Sequence, residues 1–292
     1  MSHPDEPPLA FRAPPNSCDA HFHVFGPADR YPHGGVNENL RYAPPFAPLA
    51  DYLAHAKALG GFERFVFVQP SAYGRDNSCM LDAIREVGIA HCRGIVDVDE
   101  NAPDALLAEM NKIGVRGVRI NVSPVKPLAP GFSETMKPRI ARLDARCSEL
   151  GWMLDFLNPG WLTEELMPLF ATLRSTFTIA HMGMFRAELG PQQPGFRKLI
   201  DLVRLGQGRA WVKLTGAYRM ATLPAMADAA PMAHALIDAV PGRLIWGSDY
   251  PHLSFADKVT SNQLFNLLAD WSPDDAMRRR ILVDNPAALF GL

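Results

Sequence analysis

Two histidines stand one residue apart in Asp19-Ala20-His21-Phe22-His23. Residues two apart on a strand point to the same side, so both imidazoles share a face. Such a pair can ligate a metal, polarise a carbonyl or move protons. A bare pair of this kind also occurs on surfaces by chance. A third histidine, His181, closes Ile179-Ala180-His181, and Asp249 closes the apolar run Trp246-Gly247-Ser248-Asp249. A carboxylate at the end of a buried run needs a partner or a task. The bland alternative is an N-cap for the next helix. Arg119 lies inside another apolar run, two residues before Asn121. With no acidic neighbour nearby in sequence, it reads as a ligand for an anion, since its planar fork matches a carboxylate. The alternative is an ion pair with another strand. Asp155, in Trp152–Leu157, reads either as a site carboxylate or as a structural one.

These residues fall on a regular alternation. Eight short apolar runs read as buried parallel strands: Ser17–Val24, Arg64–Gln69, Cys92–Val98, Gly117–Val122, Trp152–Leu157, Phe177–His181, Ala210–Thr215 and Arg243–Asp249. Between them lie stretches of helical period: Leu49–Leu59, Met80–Val87, Ala102–Ile113, Thr135–Leu150, Thr163–Leu173, Phe196–Leu205 and Met226–Ala239. Asn101 is placed to cap the third helix, and Gly114 and Gly151 to end the third and fourth. The tail Asp270–Leu292 reads as one or two short helices. Strands alternating with helices imply a parallel sheet, and eight units imply a single-domain (β/α)8 TIM-type barrel, with an open doubly wound sheet as the alternative. The barrel spans 17–292, preceded by a tail over 1–16. His21, His23, His181 and Asp249 then all lie at C-terminal strand ends, where barrel enzymes keep their sites. The long Gly/Pro-rich stretch Gly26–Pro48 and the stretch Ser123–Ser133 follow strands on that same side.

At 292 residues, 48% hydrophobic and 21% charged, the chain has material for one large core. A net charge of −2 excludes binding nucleic acid by bulk electrostatics. The four cysteines are scattered, with no CxxC pair, and read as reduced and buried. No apolar run reaches the roughly 20 residues of a membrane span. Residues Met1 to Asn16 lack the basic and apolar regions of a secretory leader, so the expectation is a cytoplasmic protein. Self-association is left open.

The histidine pair with Val24-Phe25-Gly26-Pro27, the segment Val66–Asn77, Gly117–Asn121, His181-Met182-Gly183 and Trp246–His252, in this order, resemble the 2-pyrone-4,6-dicarboxylate lactonase group of the amidohydrolase superfamily. The resemblance covers about Asp19 to Pro286. It implies hydrolysis of a lactone bearing acidic groups, in aromatic or sugar-acid catabolism. It implies that Asp249 activates water and that His21, His23 and His181 surround the lactone carbonyl. Arg119 and Arg219 would hold substrate carboxylates, and Gln69, Ser71 and Tyr73 would line the site. Two departures point to an altered anion clamp. Met184-Phe185 stands where the group carries an arginine, with Arg186 nearby, and strand 5 lacks the group's tyrosine. Lys126 is placed to supply a replacement cation, and the substrate then becomes a muconolactone or another carboxylated or sulfonated lactone. The resemblance implies no required cofactor. The alternative is one divalent ion, Zn or Mn, on His21, His23, His181 and Asp249, and with it a metal-dependent decarboxylase. A lactone isomerase on the same scaffold is the other alternative. The expected partner is a small anionic lactone, with no nucleic acid and no membrane.

Overall fold

The computed structural model describes residues 6–33, 44–122 and 129–292. Lys126 and residues 34–43 of the Gly26–Pro48 stretch lie outside the described residues. Eight parallel strands, β1 (Cys18–Phe22), β2 (Arg64–Val68), β3 (Cys92–Val96), β4 (Val115–Asn121), β5 (Met153–Leu157), β6 (Thr176–Ile179), β7 (Ala210–Leu214) and β8 (Leu244–Trp246), pair in sequence order in one sheet. The main helices are α1 (Leu49–Ala58), α2 (Ser78–Val87), α3 (Asp104–Ile113), α4 (Phe132–Leu150), α5 (Gly160–Phe170), α6 (Pro194–Leu205), α7 (Ala230–Ala239), α8 (Ser261–Trp271), α9 (Asp275–Arg279) and α10 (Asn285–Phe290). This is the (β/α)8 barrel. Among the described residues no helix is long and apolar enough to cross a membrane.

Two apolar layers hold the fold. The larger lies between sheet and helices and includes Phe22, Tyr52, Phe156, Phe177 and Trp246. The smaller fills the lower barrel with Cys18, Ala20, Val66, Val68, Ile95, Met153, Trp211 and Ile245, and Phe290 of α10 joins it. Above that plug the inward positions turn polar, so the chemistry sits on a dry floor.

The first strand breaks its own alternation. Cys18 and Ala20 point inward, so strict period two would send Phe22 in and His21 out. Instead the β1–β2 register shifts between Asp19 and Phe22. Phe22 turns outward to stack on Tyr52 of α1, with ring centroids 3.5 Å apart. His21 and His23 turn in. A bulge re-aims side chains in this way at barrel rims. Asp19 holds it: its Oδ1 accepts from the backbone nitrogens of His21 (3.2 Å) and Ser248 (2.9 Å), and its Oδ2 accepts from the Tyr52 hydroxyl (3.1 Å).

The barrel closes at the same place. Past β8, Asp249 N donates to His21 O (2.8 Å) and His23 N donates to Tyr250 O (2.9 Å). Gly247 permits this approach, since a Cβ there would fall 2.5 Å from His21 N. One helix expectation needs correction and one helix was missed. The third helix starts at Asp104 after Pro103, and Asn101 N is instead captured by Asp99 Oδ1 at 2.9 Å. The tail does carry the two short helices α9 and α10, but no helix was expected where α8 stands before them. The start of α8 was legible, because Thr260 and Gln263 form half of a capping box, with Thr260 Oγ1 accepting from Gln263 N. Gly114 and Gly151 do end their helices, in left-handed conformation.

Gly247→Ala should therefore force β1 and the chain after β8 apart. The expected cost is about 1–3 kcal/mol, the range for overpacked sites. A urea midpoint equal to that of the parent would contradict the seam described here.

Candidate active site

Asp249 lies three residues past β8, is 1% exposed and adopts a left-handed φ of 57°. His181, two residues past β6, is also left-handed at 52°. Non-glycine residues held there carry backbone strain, and such strain concentrates at functional sites. Both are pinned. Asp249 is fixed by its bond to His21 O. His181 Nδ1 lies 2.7 Å from Thr215 Oγ1, which also accepts from His181 N at 3.3 Å. Gly216 makes room for that ring, because a Cβ would meet His181 Nδ1 at 2.4 Å.

Three imidazoles converge on the one carboxylate. His21 Nε2 and His23 Nε2 stand 3.6 and 3.7 Å from Asp249 Oδ1, and His181 Nε2 stands 3.7 Å from Oδ2. Oδ2 is committed elsewhere: Tyr218 Oη donates to it at 2.6 Å and Arg219 Nε at 2.8 Å. Oδ1 has no hydrogen-bond partner among the described residues. Burial opposes ionisation of Asp249, but the Arg219 charge and the Tyr218 hydroxyl outweigh it and hold the carboxyl well below the usual range. The imidazoles go the other way. Burial pulls His21 well below its ordinary value and lowers His23 and His181 to about 3. An ionised carboxylate thus faces neutral rings.

A second buried group lies beneath. Lys213 points inward from β7, with Nζ 2.7 Å from Asp155 Oδ1 and 3.0 Å from His21 Nδ1. Thr178 Oγ1 also donates to Asp155. Asp155 is therefore the counter-ion of a buried lysine. Arg119 is opposite Asp155 in the strand register and donates to the Gln69 carbonyl oxygen. Arg119, Lys213 and Arg219 stand against Asp155 and Asp249, one positive charge in excess among these five.

The other expected site residues are spread out. Gln69 Nε2 donates to Gly74 O and Asp76 O, stapling the loop after β2. Tyr73 turns its hydroxyl to Gly26 N and its ring to Phe25 and His33. Ser71 opens the 3-10 turn of that loop, and Asn121 ends β4, half-buried. Arg219 spends its Nε on Asp249 rather than standing free for substrate. Arg186 is exposed and pairs with Glu188. His252 is buried and lies 3.2 Å from Ser261 Oγ. Sequence reasoning gave no role to Tyr218, Thr215, Asp19 or Lys213. Only the clustering of polar residues after β7 hinted at the first two.

The nitrogens and carboxylate of His21, His23 and Asp249 lie within 4.8 Å of one another, close enough for one ion. The donor chemistry does not fit. A ligating histidine normally donates its second ring N–H to a carbonyl or carboxylate. His23 does so, with Nδ1 2.7 Å from Val68 O. His21 Nδ1 instead faces the Lys213 ammonium.

Acid should unfold this protein early. His21, His23, His181 and His252 are buried, His55 is half-buried, and all five are held below their ordinary value, His55 and His252 at about 4. Unfolded histidine titrates near 6.5, so below that pH the unfolded chain takes up protons the native state refuses. Each such histidine costs up to about 1.4 kcal/mol per pH unit. Asp19, raised to about 6 by burial, takes its proton first in the native state and offsets about one of them. Urea midpoints should drop steeply between pH 7 and pH 5, and a flat profile would mean that the rings are not buried and neutral.

Comparison with known proteins agrees with this geometry. The amidohydrolase family model matches residues 18–292. A 4-sulfomuconolactone hydrolase of Hydrogenophaga intermedia is 38% identical over 97% of this chain and 91% of its own. A 2-pyrone-4,6-dicarboxylate hydrolase of Comamonas testosteroni is 30% identical over 96% and 92%. A solved structure from Acinetobacter baumannii, described as a probable 2-pyrone-4,6-dicarboxylic acid hydrolase with citric acid bound, is 26% identical. It superposes with a TM-score of 0.79 over 95% of this chain and 100% of its own. A barrel with this histidine pair, His181 and Asp249 at its C-terminal rim, matched from β1 to the last residue, belongs to the amidohydrolase family.

Proposed function

We propose that this protein hydrolyses a lactone that carries carboxylate or sulfonate groups, without a divalent ion, and that a muconolactone-like sulfonated ring is its first candidate substrate. The carrying observation is the split carboxylate: Asp249 Oδ2 is tied to Tyr218 and Arg219, while Oδ1 is left open among imidazole nitrogens. The relatives' printed activities on acidic lactones support the substrate class, and the neighbour with bound citric acid supports an anion-accepting site.

On this reading Asp249 Oδ1 accepts a proton from water as the water oxygen bonds to the lactone carbonyl carbon. The low pKa keeps Asp249 ionised but makes it a weak base toward free water. Proton transfer becomes favourable only as the new C–O bond acidifies the attacking water. Imidazole N–H groups stabilise the oxyanion that forms on the carbonyl oxygen. Collapse then breaks the ring C–O bond, and the proton on Asp249 passes to the leaving oxygen. Arg119, with Arg219, Asn121, Gln69, Ser71, Tyr73 and Lys126, is the set from which substrate contacts are drawn. Arg119 is the strongest of these, being a buried cation on the barrel wall.

Chelator-treated protein should open 4-sulfomuconolactone or 2-pyrone-4,6-dicarboxylate, followed by ultraviolet absorbance with identification of the ring-opened acid. An isomeric lactone as product, or turnover that returns only with added Zn or Mn, would defeat this reading. Asp249→Asn should lower kcat by about 10² to 10⁴, the usual worth of a general base, while calorimetry still detects substrate binding. Arg119→Met should raise KM by roughly 10- to 100-fold, as expected for loss of a charged hydrogen bond worth about 1.5–3 kcal/mol. An unchanged KM would remove Arg119 from the anion contacts.

A further inference from the structure

The two histidines of the pair are held by opposite chemistry at their inner nitrogens. Behind His23 Nδ1 stands the Val68 carbonyl, 2.7 Å away, which can only accept. That ring carries its proton on Nδ1 and turns a lone pair at Nε2 into the site. Behind His21 Nδ1 stands Lys213 Nζ, 3.0 Å away and fully buried. An ammonium has three donors and no acceptor. Burial pulls Lys213 below the usual lysine range, and the ionised Asp155, 2.7 Å away on β5 and itself bound by Thr178 from β6, opposes that loss and holds the proton on the amine. His21 Nδ1 must therefore accept, and the proton of the neutral ring sits on Nε2, 3.6 Å from Asp249 Oδ1.

We propose that Lys213, held by Asp155, is a positioning residue that fixes His21 as the Nε2–H tautomer. This makes His21 a hydrogen-bond donor to the reacting carbonyl and denies a divalent ion the lone pair it needs from the His21–His23–Asp249 group. The carbonyl part rests on the lactone reading above, and the tautomer and metal parts do not. A metal ligand must present an unprotonated nitrogen. Only His23 of the pair does so while Lys213 is charged. Converting this rim to a metal site thus requires a change at Lys213 on β7, which touches His21 but is not itself a candidate ligand.

The test begins on the substrate-free wild-type protein at neutral pH. Nitrogen-15 histidine labelling and long-range proton–nitrogen correlation report the tautomer of each ring, with His21 identified by loss of its signals in His21→Asn. The expected result is Nε2–H for His21 and Nδ1–H for His23. An Nδ1–H ring at His21 overturns the proposal, and this measurement needs no altered lysine to fold. The second arm is Lys213→Gln. Its amide can donate to Asp155 and offer an oxygen to His21 Nδ1–H. Isothermal titration with Zn²⁺ should show at least 100-fold tighter binding at one site than in the wild type, with loss of the His21 Nε2–H signal. The same variant should lose kcat with little change in KM. One equivalent of Zn²⁺ held by the wild type, released by His21→Asn, would overturn the assignment. A wild-type protein that shows Nε2–H at His21 and refuses zinc, yet opens no lactone, would sustain the tautomer assignment and defeat the lactone reading alone.

Discussion

A carboxylate buried to 1% exposure cannot stay ionised without compensation, and the upper half of this barrel is arranged around compensating Asp249. Tyr218 and Arg219 both bind Oδ2. They keep the charge in place and leave Oδ1 without a hydrogen-bond partner among the described residues. Three imidazoles reach the same group from β1 and from the loop after β6. Burial keeps them neutral, so they surround the anion as rings that can donate or accept rather than as cations that would quench it. The left-handed backbone at Asp249 and His181 is the strain that this convergence carries.

That centre depends in turn on the seam between β1 and the chain after β8. The bonds from Asp249 N to His21 O and from His23 N to Tyr250 O join the carboxylate residue to the histidines through the backbone itself. Asp19 supports the seam from outside by gathering two backbone N–H groups and the Tyr52 hydroxyl. Beneath lies the Lys213–Asp155 pair, a buried ion pair with its donors and acceptors shared among β1, β5, β6 and β7. Buried pairs of this kind are weak arguments for stability, and their best-attested use is to specify one arrangement over another. Here the arrangement is the proton position of an imidazole.

Much of this was legible in the chain. Eight apolar runs alternating with helical periods identify the barrel. The same count places His21, His23, His181 and Asp249 at strand ends on one side. The first and last strands, among others, were longer on paper than in space. Residues 247–249 and 180–181 belong to apolar runs, yet they leave the sheet to bring Asp249 and His181 to the centre. Arg219 was legible as a cation near the site, but not its commitment to Asp249, because the acidic partner lies 30 residues away. Gln69 and Tyr73 carried the expected residue types, but nothing in the sequence reported their bonds to the backbone at Gly74, Asp76 and Gly26.

The sequence by itself determined the periodicities, the barrel, and the inventory of rings, carboxylates and arginines at its rim. Those follow from local spacing, which each segment carries alone. Tertiary structure decided which way the pieces face. Strict alternation would put Phe22, not His21, on the inward face occupied by Cys18 and Ala20. The bulge that reverses this is stabilised by Tyr52 and Ser248, distant in sequence. Lys213 and Asp155 are likewise 58 positions apart in the numbering and 2.7 Å apart in space. No local pattern reports such a pairing, because its energy exists only once the strands that carry the two charges have closed around the same interior.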